Sequence, residues 1–449
     1  MKKKISNLLV LITLFSTLPF TACDGVAFGR RRENVLRVAS WDEYIDEGDD
    51  ESGTRPMYEE FEDWYFQQTG KTITVEYIPL QDNETMYNKI KMGDEYDLLC
   101  PSEYMIIKLA REGKLQAFPE SFFDKTVETN YYAKYVSSYI DGVFSGLTID
   151  NTPQSATLRE YAAGYMWGTT GFVFNADKID REIMSDWSAL TNPACNHKIT
   201  MKDNTRDAYF AGLGLYYQDE LNALQATLTP DEYTAKVSDF MNRTDATTRV
   251  GVKQKLTAMR RNLYGLETDE GKTDVAQGRL DATYQWSGDA VYIFDLVEEF
   301  GNTDKLKNLE YSIPKSASNL WFDGWTMMKG ANVDAATAFI NFVSMPENAV
   351  RNMEYIGYTS CIAGDINNDA VFEYVNDSYS ADGEEETEDY DLSYFFGDGH
   401  VINAPKSGLT RQQLFAQYPD DQTRKRLAVM KPFNKAMNEI INRTWINLK

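Results

Sequence analysis

Acidic and aromatic side chains stand together where the first predicted strand ends. The segment VASWDEYI, residues 38–45, starts as an apolar strand and then carries Trp41, Asp42, Glu43 and Tyr44. Carboxylates beside aromatic rings suit a cationic ligand, because the carboxylate supplies the counter-charge and the ring faces add up to about 2 kcal/mol of cation–π attraction. The alternative is an ordinary amphipathic strand end, which only separates the core from solvent.

Two further segments repeat this combination. QWSGDA places Trp286 and Asp289 at the end of a predicted strand, and LWFDGW places Trp321 and Asp323 at a predicted crossover. Tryptophan beside an acid is common in this chain, so the position at a strand end is the more informative feature. An ammonium must not be buried without a counter-charge, and each methylene packed on an aromatic face contributes about 0.8 kcal/mol. The three segments together predict a slot for a flexible diamine or polyamine.

The charge of the chain restricts its partners. The sequence has 69 acidic and 45 basic residues and a net charge of -24, whereas nucleic-acid binding needs a basic surface. The two histidines, His197 and His400, do not form a pair at metal-ligand spacing and offer few options for a catalytic triad. We therefore expect no nucleic-acid partner, no metal, no cofactor and no catalytic residues.

The N-terminus has the pattern of an export signal. In residues 1–22 a basic trio precedes an apolar run, and Phe20-Thr21-Ala22-Cys23 resembles a bacterial lipobox. Cleavage would leave Cys23 lipidated, followed by a tether over residues 23–34. No later segment has the roughly 20 consecutive apolar residues of a spanning helix, so we expect membrane attachment only through the N-terminal lipid.

The elements that must position these residues alternate between strand and helix. Residues 35–113 follow a β-α-β-α-β-α order, which predicts a parallel sheet with helices on both faces. Ligands bind such sheets beyond the carboxyl ends of the strands. The motif PSEY follows the third strand, so Ser102 and Tyr104 are expected to share an edge with Trp41. A second alternating region begins near Trp167, which predicts two α/β lobes with more than one crossover between them.

Two segments stand outside this alternation. Residues 136–164 have a loop-like composition, and residues 382–391 contain seven acids in ten positions, which we interpret as a solvated loop. Besides Cys23 the chain has three cysteines, so at least one thiol is expected to stay unpaired, and a Cys100–Cys361 pair remains open.

Six segments taken in order resemble those of one known family. SWDEY, NETMYNKIKMGDEYDLLCPSEY, GYMWGTTGFVFN, QWSGDA, LWFDGW and IGY are similar to the periplasmic spermidine/putrescine-binding proteins of polyamine ABC transporters, over about residues 35–365. The resemblance implies a type II periplasmic-binding-protein fold, in which each of two lobes is a mostly parallel sheet flanked by helices and the ligand cleft lies between them. The implied divisions are 35–165 plus 320–375 for lobe 1, 166–319 plus 400–449 for lobe 2, and an acidic insertion at 376–399.

The resemblance also implies a set of binding residues. The implied ligand contacts are Trp41, Glu43, Tyr44, Ser102, Tyr104, Asp207, Trp286, Asp289, Trp321, Asp323 and Tyr358. Asp42 is a possible further contact, because many members of the family have threonine or serine there. Asn204 replaces an acid that is frequent in spermidine-type members, which leaves the choice of polyamine open.

The function implied is that of a substrate-binding lipoprotein, not an enzyme. It would capture putrescine or spermidine and deliver it to the membrane permease of an ABC transporter, from a lipid-anchored position in the bacterial cell envelope, periplasmic or extracytoplasmic. Two alternatives remain. The same fold binds other solutes such as sugars or amino acids, for which Arg206 is the nearest candidate partner of a ligand carboxylate. An exported carbohydrate-active hydrolase would also use paired carboxylates.

Overall fold

The computed structural model describes five stretches of the chain, namely residues 34–49, 53–152, 155–267, 270–383 and 385–449. The predicted signal peptide and the predicted lipidation site at Cys23 lie outside these residues. In the part that is described, no helix combines the length and the apolar character that crossing a membrane requires.

The first βα units form as the alternation predicts. Their bounds are β1 (Val35–Trp41), α1 (Met57–Thr69), β2 (Thr74–Leu80), α2 (Asn83–Met92), β3 (Leu98–Leu99) and α3 (Glu103–Arg111). Strand β1 pairs in parallel with both β2 and β3. Helix α1 ends at Gly70, whose φ of 68° is the left-handed conformation that glycine adopts without strain. The N-cap of α2 is Asp82, whose side chain accepts a hydrogen bond from the backbone N–H of Thr85.

The chain then crosses the molecule for the first time. The next elements are β4 (Leu115–Gln116), α4 (Tyr131–Tyr135), α5 (Ser138–Gly146) and β5 (Ala163–Asn175). The loop-like interpretation of residues 136–164 was incomplete, since α5 lies within them. Ile140 and Phe144 are both buried on α5, and their spacing of four residues places them on one face of that helix.

The second half of the sheet has its own parallel core. Its elements are β6 (Ile199–Lys202), α6 (Thr205–Gln225), α7 (Pro230–Phe240), α8 (Ala246–Asn262), β7 (Gly265–Glu267), α9 (Glu270–Ala276), β8 (Ala282–Trp286), α10 (Ser287–Glu299), β9 (Leu309–Ser312) and β10 (Ser318–Met328). Strand β6 runs parallel to β7 and to β8. Strand β8 ends at Trp286, where the sequence predicts a strand end.

Two long strands join the halves. Strands β5 and β10 pair antiparallel with each other, and β10 also pairs with β3 and β4 at its C-terminal end. Strand β5 continues into pairing with β8, which gives the strand order β2-β1-β3-β10-β5-β8-β6-β7. This is the predicted two-lobed α/β architecture, with β10 at the predicted crossover.

The C-terminal part adds helices to both halves and a small second sheet. Its elements are α11 (Val333–Val343), α12 (Pro346–Ile356), β11 (Thr359–Ser360), α13 (Ala370–Tyr379), β12 (Thr387–Asp391), α14 (Ser393–Phe396), β13 (Val401–Pro405), α15 (Leu409–Gln417), α16 (Asp421–Arg424), β14 (Leu427–Ala428) and α17 (Lys435–Ile446). Strands β12 and β13 pair antiparallel. The interpretation of residues 382–391 as a loop was therefore wrong for β12, where Tyr390 is buried between exposed acids.

The cysteines of the described part are thiols. Cys100, Cys195 and Cys361 are all buried, and no disulfide links them. Burial raises the pKa of Cys100 and of Cys361, so both are held in the protonated, unreactive form at neutral pH.

Candidate functional site

The site is built around the buried carboxylate of Asp323 on β10. Its Oδ2 accepts hydrogen bonds from the indole Nε1 of Trp41 at 3.0 Å and from the hydroxyl of Tyr44 at 2.8 Å. Its Oδ1 accepts from the hydroxyl of Ser102 at 2.7 Å. The ends of β1 and β3 share one edge, as the strand-end rule predicts, and the crossover strand brings the carboxylate of Asp323 to it.

Ser102 is positioned by a neighbour that the sequence analysis did not single out. Its backbone N–H donates to Oδ1 of Asn83 at 3.1 Å, and Nδ2 of Asn83 donates back to the Ser102 hydroxyl at 3.0 Å. Ser102 holds the N-cap position of α3, but its hydroxyl makes no capping hydrogen bond there. The hydroxyl instead donates its hydrogen bond to Asp323.

The electrostatics of Asp323 are those of a carboxylate that lacks a cation. Burial raises the pKa of Asp323, and the hydrogen bonds from Ser102, Tyr44 and Trp41 only partly oppose this by stabilising the charged form. Among the described residues, none of the ion pairs within 4.0 Å includes Asp323. Burial raises the pKa of Tyr44 well above its usual value, and the negative charge of Asp323 adds to this effect. The Tyr44 hydroxyl therefore keeps its proton and remains a hydrogen-bond donor.

Aromatic rings lead from Asp323 to a second acid. The ring of Tyr358 packs edge-on against Tyr44 at a centroid distance of 5.7 Å and lies 5.5 Å from the ring of Trp321. The Tyr358 hydroxyl donates to Oδ1 of Asp289 at 3.1 Å. The two acids are therefore connected through Tyr44 and Tyr358.

Two glycines allow this close aromatic packing. A Cβ added at Gly288 would lie 1.9 Å from the ring of Tyr358, and one added at Gly168 would lie 2.7 Å from the ring of Trp321. Trp321 is fixed further by a hydrogen bond from its Nε1 to the carbonyl oxygen of Thr169 at 3.0 Å. The positions of the Trp321 and Tyr358 rings therefore depend on glycine in the neighbouring backbone as well as on side-chain contacts.

The second acid carries lysine partners. The Nζ of Lys202, at the end of β6, lies 3.0 Å from Oδ2 of Asp289, and the Nζ of Lys272 lies 3.4 Å from Oδ1. The same Lys202 ammonium lies 5.0 Å from the centroid of the Trp286 ring. Trp286 and Asp289 thus come together as predicted, and a cation of the chain itself is already between them.

Asp207 joins this second cluster. Burial raises its pKa to about 7, while the positive charges of Arg206 and Lys202 and a hydrogen bond from Trp286 act in the opposite direction. Its carboxyl group therefore lies within the electrostatic reach of the same lysine that pairs with Asp289.

Tyr104 connects the two halves of the sheet. Its hydroxyl donates to Oε1 of Glu84 at 3.3 Å, and the guanidinium of Arg206, at the start of α6, lies 4.7 Å from its ring centroid. The same guanidinium also lies 3.6 Å from the centroid of the Phe433 ring. Arg206 is thus held between aromatic rings, with one N–H donating to the carbonyl of Lys431 at 2.7 Å.

Two predicted contacts take no part in the hydrogen bonds and ion pairs described above. Asp42 and Glu43 are both exposed, and Glu43 has a positive φ of 52°. Their charges raise the pKa of Glu47 after the larger effect of its burial. The roles predicted for Asp42 and Glu43 stay predictions.

Sequence reasoning also missed Glu103. It is fully buried next to Ser102, its Oε2 accepts from the backbone N–H of Phe322 at 3.1 Å, and burial raises its pKa to about 8. A charged residue between Ser102 and Tyr104 gave no signal that it points inward. In the described stretches, no three His, Cys, Asp or Glu side chains come together as metal ligands.

Comparison with known proteins agrees with this architecture. The family of bacterial extracellular solute-binding proteins matches residues 57–375. The spermidine/putrescine-binding periplasmic protein of Salmonella typhimurium is 25% identical over 328 residues, which cover 72% of this chain and 77% of that relative. The protein of the same description from Escherichia coli is 25% identical over 330 residues, with the same coverage of 72% and 77%. The putrescine-binding periplasmic protein PotF of Escherichia coli is 22% identical over 339 residues, covering 73% and 78%.

Solved structures show the same fold. The spermidine/putrescine ABC transporter substrate-binding protein PotD from Streptococcus pneumoniae superposes with a TM-score of 0.59 at 25% identity, covering 92% of this chain and 98% of that one. The TpPotD lipoprotein of Treponema pallidum gives a TM-score of 0.60 at 18% identity, covering 92% and 99%. Because the family match extends over more than half of the sequence, this chain belongs to the bacterial extracellular solute-binding proteins.

Proposed function

We propose that the chain is the substrate-binding lipoprotein of an ABC transporter, which captures a polyamine, putrescine or spermidine, between its lobes and delivers it to the membrane permease. The observation that carries this proposal is Asp323, a buried carboxylate with aromatic neighbours and no ion pair among the described residues. Burying a carboxylate without a counter-charge is costly, and a ligand ammonium would remove that cost. The names of the relatives, which bind spermidine and putrescine, support the same ligand class.

The hydrogen bonds around Asp323 leave room for such a ligand. An ionised carboxylate has about four lone-pair sites, and Trp41, Tyr44 and Ser102 use three of them. An ammonium would take the remaining one in a charge-assisted hydrogen bond. The rings of Trp321 and Tyr358 would then cover the methylenes of the ligand.

Capture would involve closure of the lobes. Strands β5 and β10 join the two halves of the sheet, and Tyr104 contacts Arg206, which the resemblance assigns to the other lobe. A ligand that touches both lobes favours the closed arrangement by the difference between its affinities for the closed and open states. We propose no catalytic role, and the relatives reported above are solute-binding proteins.

The proposed location is the bacterial cell envelope, periplasmic or extracytoplasmic, where a lipid on Cys23 would anchor the protein to a membrane. The relatives are periplasmic proteins, and the lipobox-like sequence before Cys23 supports the anchor. A Cys23→Ala variant should move from the membrane fraction to the soluble fraction. If the variant and the wild type fractionate alike, the anchor is contradicted.

The direct test of the ligand is thermal unfolding with added amines. Putrescine or spermidine at a hundred times its dissociation constant should stabilise the protein by about 2.7 kcal/mol. Sugars and amino acids serve as comparison ligands in the same measurement. Stabilisation by one of these, with none by any polyamine, would contradict the proposed function.

A further inference from the structure

The cleft contains a cation of its own at the end opposite Asp323. Lys202 is the last residue of β6, and it is only 7% exposed. Its ammonium combines an ion pair to Asp289 at 3.0 Å with a position 5.0 Å from the Trp286 ring centroid. A carboxylate together with an aromatic face is the pair of partners that a ligand ammonium needs.

The two ends of the cleft differ in whether their acidic side chains are matched by basic ones. Around Asp289, the acids are Asp207, Asp289 and Glu267, and the bases are Lys202, Lys272 and Arg206. Around Asp323, no base of the described chain forms an ion pair with the carboxylate. Its buried neighbour Glu103 is mostly protonated at neutral pH, since its pKa is raised to about 8. The carboxylate that has no ion-pair partner among the described residues is therefore at the Asp323 end.

Both ends belong to one continuous set of contacts. Tyr44 donates to Asp323, Tyr358 donates to Asp289, and the rings of these two tyrosines touch edge to face at 5.7 Å. A ligand whose ammonium sits on Asp323 and whose chain follows Tyr358 would extend toward Asp289 and its ion-pair partner Lys202. Two ammonium groups close together in a buried site repel each other.

We propose that Lys202 fills the second ammonium site of this cleft, so that the protein holds a polyamine by one charged end and prefers a monoacylated diamine to the free diamine. This inference rests on the proposed function, because it takes Asp323 as the site of the ligand ammonium. An acylated end has no charge to be repelled, and its amide oxygen can accept a hydrogen bond from an ammonium.

Calorimetry with two ligands of equal carbon spacing tests the inference. N-acetylputrescine should bind the wild-type protein at least tenfold more tightly than putrescine. Lys202→Met keeps the side-chain length and removes the charge, so it should raise the affinity for putrescine relative to N-acetylputrescine by at least tenfold. Lys198→Met is the matched control, since Lys198 lies just before the opposite end of β6 and its ion pair is with Asp281 at 3.8 Å. It should leave the ratio unchanged.

The outcomes separate this inference from the function on which it rests. Putrescine binding as tight as N-acetylputrescine in the wild type overturns the inference and leaves polyamine capture standing. Binding of neither these ligands nor spermidine overturns polyamine capture and the inference with it. If Lys202→Met does not fold, Lys202→Gln replaces it, and the wild-type comparison alone still decides.

Discussion

The hydroxyl of Tyr44 donates to Oδ2 of Asp323 at 2.8 Å, although 279 positions separate the two residues in the sequence. This hydrogen bond ties the segment after the first strand to the strand that crosses between the lobes. Because Trp41 and Ser102 donate to the same carboxylate, Asp323 is oriented before any ligand arrives. Such preorganisation reduces the entropy that binding must overcome.

Asp323→Asn should remove most of the affinity for a polyamine. The substitution keeps the shape of the side chain but deletes the counter-charge of a buried ammonium, which costs about 3 kcal/mol or more, or at least a hundredfold in affinity. Calorimetry measures the change. Glu43→Gln is the comparison, because Glu43 is exposed and its attraction for a cation is screened. It should weaken binding only a few-fold, and less so at high salt; equal losses in both variants would contradict this assignment.

Tyr44→Phe should make binding more sensitive to acid. The Tyr44 hydrogen bond favours the charged form of Asp323, so its loss raises the pKa of Asp323 further. Only the charged form attracts an ammonium, and affinity should therefore begin to fall at a higher pH than in the wild type. A lost hydrogen bond to a charged group, about 1.5 kcal/mol, would lower the affinity at pH 7 about tenfold.

Tyr390→Phe controls for general loss of stability in that experiment. Its hydroxyl is also buried and donates to the carbonyl of Tyr418, in the C-terminal part of the chain. Titrations of affinity against pH should match the wild type for this variant. Coinciding curves for Tyr44→Phe and the wild type would show that the Tyr44 hydroxyl does not support the Asp323 charge.

Glu103→Gln should change how stability depends on pH. Burial raises the pKa of Glu103 to about 8, so the folded state holds a proton that the unfolded state has released above about pH 4.5. Wild-type stability should therefore fall as pH rises from about 4.5 to 8, by up to about 1.4 kcal/mol per pH unit from this group. The variant lacks this contribution and should gain most over the wild type at pH 9.

Denaturant unfolding at several pH values measures that slope. Glu220→Gln, an exposed position on α6, is the control and should leave the slope unchanged. A Glu103→Gln slope equal to that of the wild type would mean that Glu103 is already ionised in the folded protein.

Arg206→Met should loosen the closed form. The Arg206 guanidinium lies over the ring of Tyr104, which follows β3 in the other half of the sheet, and a desolvated cation–π contact is worth up to about 2 kcal/mol. Polyamine affinity should fall by up to about thirtyfold, and X-ray scattering should show a less compact protein with ligand bound. Arg243→Met is the matched control, because Arg243 stacks on Phe240 within a single lobe. Equal effects of the two variants would exclude a specific interlobe role.

The sequence patterns were sufficient for the main architecture. Alternating strands and helices, with the crossover at LWFDGW, predict the parallel cores and β10. The strand-end rule places Trp41, Tyr44 and Ser102 at one edge, because carboxyl ends of parallel strands share it, and all three donate to Asp323 there. Asp323 itself was predicted at the crossover and not by that rule.

Lys202 ends β6 as Trp286 ends β8, so the strand-end rule applies to it as well. A lysine gave no signal, because a cationic ligand is expected to meet acids and aromatic rings. Helix α5 was hidden by the glycine and serine residues around Ile140 and Phe144. The burial of Glu103 depends on β10, more than 200 residues further along the chain, and local patterns carry no information about it.

The crossover strand has a kinetic consequence. Asp323 forms a bridge with Ser102, and its three donors lie at or just after the ends of β1 and β3, so we propose that the whole Asp323 group moves with lobe 1. When the lobes separate, the ligand should stay with lobe 1, while Arg206 and Trp286 move away from it. Substitutions in lobe 1 should then slow association, whereas those in lobe 2 should mainly shorten the lifetime of the complex.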